Sequence, residues 1–139
     1  MTNPPDKPAI GMIGVGNMGG GMAANLLAQG WPVHVRDLDS VKEQNFKQIG
    51  AVVHASPAQL ASHCVVTIVC VVDAVQTREV LFGPGGAAPA MRPGHAVMLC
   101  PTIAPQDVEG LAGELAASGI HTIDAPMSGG PARARDGSM

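Results

Sequence analysis

The sequence predicts an α/β protein built on a doubly wound, parallel β-sheet, and three observations support that fold class. From Ala9 onwards, short apolar runs alternate with longer segments of helical period, which is the pattern of consecutive βαβ units. The run Cys64–Val72 is almost entirely apolar and rich in valine, as expected of a strand that is buried on both faces. The chain has 139 residues, a length that suits a single domain.

The first half of the domain is predicted to hold three strands and three helices. Gly30 and Gly50 follow the first two helical segments, where glycine commonly ends a helix. The third helix has its own start signal, since Ser56 can cap it and Gln59 completes a capping box. The predicted order is strand Ala9–Val15, helix Asn17–Gln29, strand Pro32–Val35, helix Ser40–Ile49, strand Ala51–His54 and the helix that starts at Ser56.

The second half is predicted to hold three more strands, which gives about six in all. Asp73 can cap the helix that ends near Phe82, and Gly119 ends the last helix. The predicted order is strand Cys64–Val72, the helix from Asp73, a loop or short helix Gly85–Met91, strand Ala96–Cys100, helix Pro105–Ser118, strand Ile120–Asp124, a glycine-rich turn and a short polar tail to Met139.

The composition argues against several classes of function. The net charge is −3 and only 2% of the residues are aromatic, so neither basic patches nor base-stacking side chains indicate a nucleic acid partner. The longest apolar stretch is far shorter than the ~20 residues that span a bilayer, and the polar, proline-rich N-terminus does not resemble a secretory signal. Three cysteines without a CxxC motif indicate reduced thiols in a cytoplasmic protein.

Histidine and methionine are interpreted as structural residues. The five histidines are scattered along the sequence, and no pair has the spacing of a helical metal site. We therefore predict no metal. Methionine fills irregular gaps in cores, and this interpretation applies to Met12, Met18, Met22, Met91, Met98 and Met127.

The first strand leads into the sequence Gly14-Val15-Gly16-Asn17-Met18-Gly19, a GxGxxG pattern that opens a helix. In this context the first glycine permits the tight turn, the second lets the backbone approach a pyrophosphate, and the third lets the helix pack closely on the sheet. The free N–H groups and the positive end of the helix dipole favour phosphate. We therefore predict a Rossmann-like fold that binds a dinucleotide here; a strand–helix turn without a ligand is the alternative.

Asp37 follows the second strand, 18 residues after Gly19. A carboxylate at this place accepts hydrogen bonds from the ribose hydroxyls and repels a 2′-phosphate, which predicts NAD rather than NADP. The neighbouring Arg36 leaves NADP as the less favoured alternative, because an arginine in this region can receive the 2′-phosphate.

Three stretches of the sequence resemble the cofactor-binding half of the β-hydroxyacid dehydrogenase family, which includes the 3-hydroxyisobutyrate and 6-phosphogluconate dehydrogenases. They are IGMIGVGNMGGGMAANLLAQG, REVLFGPGG and DAPMSGG, and the resemblance extends over residues 9–139. Within the family, the stretches VVDAVQTREVLFGPGG and AVMLCPTIAP and the tail GGPARARDGSM most resemble the L-threonate dehydrogenases.

The resemblance implies further site residues and a substrate. Val71, Val72 and Gln76 would lie on the nicotinamide side of the cofactor, together with Thr102. Ser128, Gly129 and Gly130 would hold the carboxylate and hydroxyl of a small hydroxyacid. The residue types agree with that role, since a Gly-Gly turn after a strand exposes N–H groups in a nest that binds anions. Pro101 replaces the serine that the family usually has before the threonine.

The resemblance also implies a lysine as general acid and base, which in the family comes after the SGG turn. The lysines of this chain are Lys7, Lys42 and Lys47, and none is at that position. We therefore expect no catalytic residue and little or no turnover in these 139 residues. We also expect the family's second, all-helical domain to be absent, residues 1–8 to be a flexible tail, and the chain to form a homo-oligomer.

Two alternatives to a dehydrogenase domain remain. A non-catalytic NAD(H)-binding module, such as a redox sensor, requires the first glycine turn but not a substrate turn at Ser128–Gly130. A pure interaction domain requires neither turn to bind a ligand.

Overall fold

A six-stranded sheet forms the centre of the domain. The structure, a computed structural model, describes residues 7–139. The strands are β1 (Ile10–Ile13), β2 (Val33–Arg36), β3 (Val52–Val53), β4 (Val66–Val69), β5 (Ala96–Leu99) and β6 (His121–Asp124). Their order in the sheet is β3-β2-β1-β4-β5-β6, and all five pairings are parallel. This order is that of the doubly wound dinucleotide-binding fold, so the predicted fold class is confirmed.

Helices connect the strands and cover both faces of the sheet. They are α1 (Asn17–Ala28), α2 (Ser40–Gln48), α3 (Pro57–Ala61), α4 (Ala74–Phe82), α5 (Pro105–Ala116) and α6 (Gly130–Asp136), with one 3₁₀ turn at Ala88–Ala90. The strands are shorter than the apolar runs that predicted them, because the apolar runs continue into the loops at the sheet edges. Among residues 7–139, no helix has the length and hydropathy required to cross a bilayer. Of the predicted N-terminal tail, residues 1–6 lie outside the described part.

The predicted helix starts at Ser56 and Asp73 are confirmed. Ser56 Oγ accepts a hydrogen bond from Gln59 N at 3.2 Å, and an oxygen of Asp73 accepts one from Gln76 N at 2.8 Å. The Gln59 amide oxygen accepts a bond from Ala55 N at 3.1 Å, one residue before the position that a standard capping box would use.

The core is divided by the sheet into two apolar layers. One layer packs the sheet against α3, α4 and α5, with Leu60, Leu81 and Leu111 at its centre. The other packs it against α1 and α2 and contains Met12 and Val35. Because a strand's side chains alternate between the two faces, each layer takes every second residue of the central strands.

The C-terminal segment is a helix, and the predicted polar tail after the glycine-rich turn is therefore wrong. α6 starts at Gly130, has Pro131 in its first turn and ends at Asp136, and the C-cap residue Gly137 has a φ of +80°. Its buried residue, Ala134, packs against α1 where a Cβ on Gly21 would lie 3.0 Å from the Ala134 Cβ. The helix is too short to be stable alone, so this tertiary contact explains why local patterns did not predict it.

Candidate functional site

A cleft lies beyond the carboxyl ends of the strands, where parallel α/β sheets bind their ligands. The sheet changes its winding direction between β1 and β4, and the cleft opens beside that point. Its volume is about 530 Å³. The lining residues are Met18, Val71, Val72, Cys100, Pro101, Thr102, Met127, Ser128, Gly129 and Gly130.

The three glycines of the first turn have three different surroundings. Gly14 has a φ of +94°, and a Cβ added there would lie 2.3 Å from the Cys70 carbonyl oxygen. A Cβ on Gly19 would lie 2.0 Å from the Gly14 carbonyl oxygen and 2.9 Å from the Cys70 Cβ. A Cβ on Gly16 would meet nothing within 4 Å. Two of the glycines are therefore required by packing against protein, whereas the third leaves open space in front of the turn.

The N-terminus of α1 faces that open space. Its N-cap residue is Gly16, no side chain caps the helix in the described part of the chain, and no acidic residue lies in its first turn. The first backbone N–H groups of a helix have no partners within the helix, and together with the helix dipole they favour an anion.

Asp37 connects the end of β2 to this turn. Its two carboxylate oxygens accept hydrogen bonds from Val15 N at 2.8 Å and from Asp39 N at 2.9 Å. Each oxygen has a second lone pair, so the carboxylate can accept further hydrogen bonds from a ligand. The guanidinium of the preceding residue, Arg36, lies 3.7 Å from a carboxylate oxygen of Glu43, so that ion pair partly offsets its charge.

The loops after β4 and β5 form the middle of the cleft. Val71 and Val72 follow β4, and Val72 is 79% exposed. Gln76 does not line the cleft; its amide oxygen accepts a hydrogen bond from Val72 N at 3.1 Å. Gln76 therefore supports the Val72 loop through this bond. Thr102 follows β5 and is exposed on the cleft wall beside the buried Pro101.

The turn after β6 closes the far end of the cleft. Gly129 and Gly130 have φ values of +96° and +77°, which residues with a Cβ rarely adopt. Ser128 is exposed directly before them. This conformation brings the turn back over the sheet, so that its three residues share a cleft with Met18 at the start of α1.

Sequence reasoning missed three of the lining residues. Met127 was interpreted as core filler and Cys100 as an ordinary buried thiol, and Pro101 was noted only for the lost serine. Met127 is half-buried, and its Sδ lies 4.0 Å from the Cys70 Sγ. The position of Cys100 at the carboxyl end of a buried strand was the signal available in the sequence, because that end faces the ligand.

The two thiols at this edge affect each other's ionisation. A hydrogen bond between Cys70 and Cys100 raises the pKa of Cys70, which burial raises further, and the same bond lowers the pKa of Cys100. The third cysteine, Cys64, belongs to the opposite core layer, and burial raises its pKa to about 12.

Three histidines that are scattered in the sequence converge in space. Their ring centroids are 4.9 Å apart for His34 and His54, 5.0 Å for His54 and His63, and 5.6 Å for His34 and His63. His34 Nδ1 and His54 Nε2 share a hydrogen bond of 2.6 Å. Burial first, and then the neighbouring imidazoles, lower the pKa of His34 and of His54. No group of residues suitable for a metal ion is found in the described residues.

Comparisons with known proteins agree with this architecture. The family model for the NAD-binding domain of 6-phosphogluconate dehydrogenase matches residues 9–139. An L-threonate dehydrogenase from Cupriavidus necator is 48% identical over 130 residues, which are 94% of this chain and 44% of that protein. A cytokine-like nuclear factor N-PAC from Xenopus tropicalis is 35% identical over 136 residues, which are 98% of this chain and 25% of that protein.

Solved structures give the same result. A 3-hydroxyisobutyrate dehydrogenase from Salmonella typhimurium superposes with a TM-score of 0.89 at 36% identity, over 94% of this chain and 46% of that one. Psf3 in complex with NADP⁺ and 2-OPP superposes with a TM-score of 0.87 at 32% identity, over 92% of this chain and 45% of that one.

The chain thus spans less than half the length of the relatives that it matches. Over that span, the family match, the identity to an L-threonate dehydrogenase and the sheet order agree with one another. The chain therefore belongs to the family of the NAD-binding domain of 6-phosphogluconate dehydrogenase, among the β-hydroxyacid dehydrogenases.

Proposed function

We propose that this chain is the cofactor-binding domain of an NAD-dependent dehydrogenase that oxidises a hydroxyl of a small hydroxyacid. One observation carries the proposal: a single cleft of about 530 Å³ joins the start of α1 to Thr102 and to the turn at Ser128–Gly130. A cofactor and a small acid can therefore lie side by side, as hydride transfer requires.

The residues of the first turn fit a dinucleotide. The open space at Gly16 and the uncapped N-terminus of α1 suit a pyrophosphate bound by residues 14–19. The proposed positions are the adenosine ribose at Asp37 and the nicotinamide near Val71, Val72 and Thr102, with Gln76 supporting the loop. Bound nicotinamide supplies the hydride acceptor, and the chain's own residues bind and orient it.

NAD is favoured over NADP by the charges at the end of β2. Asp37 and Asp39 bring two carboxylates to this corner, and Asp37 already supports the glycine turn through Val15 N. Glu43 partly offsets the charge of Arg36, the cation that could receive a 2′-phosphate. Like charges repel most strongly where water is partly excluded, so the corner disfavours an additional phosphate.

The substrate is proposed to be a small hydroxyacid such as L-threonate or 3-hydroxyisobutyrate. Its carboxylate would lie at Ser128, Gly129 and Gly130, where the backbone N–H groups of a positive-φ turn suit an anion. The 48% identity to a protein named L-threonate dehydrogenase supports a sugar acid in particular.

We also propose that these 139 residues alone have little or no turnover. Lys7 interacts with Gln29 and the Trp31 ring, and Lys42 and Lys47 lie on α2, so no lysine lines the cleft. A general acid or base must lie within hydrogen-bond reach of the reacting hydroxyl. Turnover of L-threonate with NAD by the purified chain would contradict this proposal.

A fluorescence titration with NADH and NADPH tests the cofactor assignment. We expect NADH to bind at least about tenfold more tightly, equivalent to ~1.4 kcal/mol. Asp37→Asn can retain an oxygen for Val15 N, loses the acceptor for Asp39 N and removes the charge, so it should reduce the preference for NADH over NADPH. Glu109→Ala, a charge change on the exposed side of α5, serves as the control. Equal affinity for both cofactors in the unaltered chain would contradict the assignment.

A second titration tests the substrate turn. With NADH bound, L-threonate should bind weakly and Ser128→Ala should abolish that binding without changing the affinity for NADH. Indifference to both L-threonate and Ser128→Ala would instead support the alternative of a non-catalytic NAD(H)-binding module. One observation favours that alternative: a protein named as a nuclear factor, not as a dehydrogenase, is 35% identical over the same domain.

Cytoplasmic location and homo-oligomerisation remain proposals. β6 is an edge strand, and its Ile123 is 44% exposed, so a second copy could cover this flank. Sedimentation analysis of the chain tests the oligomeric state.

A further inference from the structure

Cys70 and Cys100 lie next to each other at the end of the sheet. Each directly follows a strand, and the last residues of those neighbouring strands, Val69 and Leu99, are paired in parallel register. Cys100 N also donates a hydrogen bond to the Val69 carbonyl oxygen at 3.1 Å. Neighbouring strands are roughly 4.8 Å apart, which lies within the Cα separation of about 4.4–6.8 Å that a disulfide requires.

The two side chains point to the same side of the sheet. Cys100 is buried in the layer that faces α1, and Cys70 packs against that layer. The Sδ of Met127 lies 4.0 Å from the Cys70 Sγ, and Cys100 and Met127 line the cleft together. The result is a group of three sulfur atoms at the base of the cleft.

The residues of this sulfur group lie against the proposed cofactor turn at residues 14–19 and also border the cleft. The Cys70 Cβ lies 2.9 Å from where a Gly19 Cβ would be, and the Cys70 carbonyl oxygen lies directly against Gly14. Cys100 and Met127 line the cleft itself. A displacement of the Cys70 or the Cys100 sulfur would therefore be transmitted to the turn at residues 14–19.

We propose that Cys70 and Cys100 are a modification site, at which a hydroperoxide converts the two thiols to a disulfide that weakens dinucleotide binding. The effect on binding rests on the proposed function, whereas the formation of the disulfide does not. Disulfides in intracellular proteins are usually transient, and this pair lies at a ligand site, where a reversible bond has a consequence.

The chemistry assigns a different role to each thiol. Cys100 lines the cleft through which a peroxide can approach, whereas Cys70 does not line it, and the pKa of Cys100 is lowered, so Cys100 supplies the thiolate that attacks the peroxide. The O–O bond breaks, an alcohol or water leaves, and Cys100 becomes a sulfenic acid. The Cys70 sulfur then attacks the sulfenic sulfur, the S–O bond breaks, and water leaves with the Cys70 proton. The two sulfurs together lose two electrons, which the peroxide accepts.

Cys64 provides a matched control within the same chain. It lies in the opposite core layer and outside the cleft that Cys100 lines, and burial raises its pKa to about 12. A cysteine in such a place behaves as a small apolar residue, so Cys64→Ala should react with peroxide in the same way as the unaltered chain.

The test combines peptide mapping with NADH titration before and after hydrogen peroxide. We expect one disulfide between Cys70 and Cys100, and a loss of NADH affinity of about fivefold or more, both reversed by dithiothreitol. Trypsin leaves Cys64 and Cys70 on one peptide, so fragment ions of the linked peptide, or the Cys64→Ala variant, identify the sulfur involved. Cys70→Ala and Cys100→Ala should each eliminate the disulfide and the peroxide-dependent change in affinity.

Several outcomes would overturn the proposal. Oxidation of either thiol to sulfinic acid without a disulfide, or a disulfide that includes Cys64, contradicts the pairing. A complete Cys70–Cys100 disulfide with unchanged NADH affinity contradicts the coupling. Failure of the reduced chain to bind NADH contradicts the proposed function and the effect on binding, while the peptide map still reports separately on the disulfide.

Discussion

The two glycine-rich turns of this domain occupy equivalent places and both contain glycines of positive φ, but only in the first do backbone atoms leave no room for a Cβ. Both follow a strand at the carboxyl edge of the sheet and lead into a helix, α1 in one case and α6 in the other. In the first turn, Gly14 and Gly19 have no room for a Cβ beside the neighbouring backbone. In the second, Gly130 has nothing within 4 Å and is required by its φ of +77°.

This difference shows which physical constraint requires glycine in each of the two turns. The first turn is packed between β1 and the end of β4, so its glycines are required whether or not a ligand binds. Only Gly16, with open space around it, is free of that requirement, and the proposed pyrophosphate would account for a glycine there. The second turn is shaped by its backbone conformation and by the packing of α6 on α1.

The largest effect is expected from Gly19→Ala, which breaks the packing of the first turn. The new Cβ would lie 2.0 Å from the Gly14 carbonyl oxygen and 2.9 Å from the Cys70 Cβ, and neither the backbone nor a Cβ fixed to it can give way easily. Overpacking of this kind costs about 3 kcal/mol or more, and we expect a clearly lower midpoint of thermal unfolding and no detectable NADH binding. Gly113→Ala on α5, where a Cβ meets nothing within 4 Å, is the control and should be neutral or stabilising by up to ~1 kcal/mol.

Gly16→Ala should separate ligand binding from folding. Gly16 has a φ of −70°, and no protein atom lies within 4 Å of the added Cβ, so thermal stability should change by less than about 0.5 kcal/mol. A methyl group at this place would nevertheless occupy the approach of a pyrophosphate, and we expect NADH affinity to fall at least about tenfold. Unchanged NADH affinity would refute the placement of the pyrophosphate at residues 14–19.

The fold and the site were not equally predictable from the sequence. The sheet could be predicted because βαβ units join neighbouring parallel strands, and because Ser56 and Asp73 mark their helices through bonds to residues three positions away. α6 could not, because its stability depends on Ala134 lying against Gly21. Similarly, no local pattern could bring together His34, His54 and His63, which meet only through the pairing of β2 with β3 and the packing of α3.

The residues that line the cleft also divide into those that sequence motifs predict and those that only the folded sheet brings together. Met18, Thr102 and the SGG turn were available from motifs, and the structure brings them around one cavity. The position of Cys100 at a strand end could be read from the sequence, but its place beside Met127 in one cleft depends on the register of β5 with its neighbours. Gln76 was assigned to the nicotinamide side by resemblance alone, and the structure adds a local contact that no motif predicts, the hydrogen bond that its amide oxygen accepts from Val72 N.

Gly21→Ala should affect the second turn more than the first. Its Cβ would lie 3.0 Å from the Ala134 Cβ and 3.2 Å from Arg135 N, so α6 must move away by a few tenths of an ångström, at a cost of about 1 kcal/mol. We expect weaker binding of L-threonate in the presence of NADH, with NADH affinity nearly unchanged. An equal loss of both affinities would show that α1, rather than α6, is the element displaced.

The smallest effect is expected from pH, and it should act through the first turn alone. The pKa values of His34 and His54 are lowered in the folded chain, mainly by burial, so the unfolded chain binds more protons as the pH falls below about 6.5. The stability that these neutral imidazoles contribute is therefore present above that pH and is lost as the pH decreases through their folded pKa values. β2 carries His34 and leads directly into Asp37, whereas no histidine of this cluster lies on the elements around Ser128. We expect NADH affinity and the thermal midpoint to decrease between pH 7 and pH 5, and His34→Asn to reduce the decrease in the midpoint.

His121→Asn, a change at an exposed histidine on β6, is the matched control, and an equal reduction in that variant would contradict the assignment to the cluster.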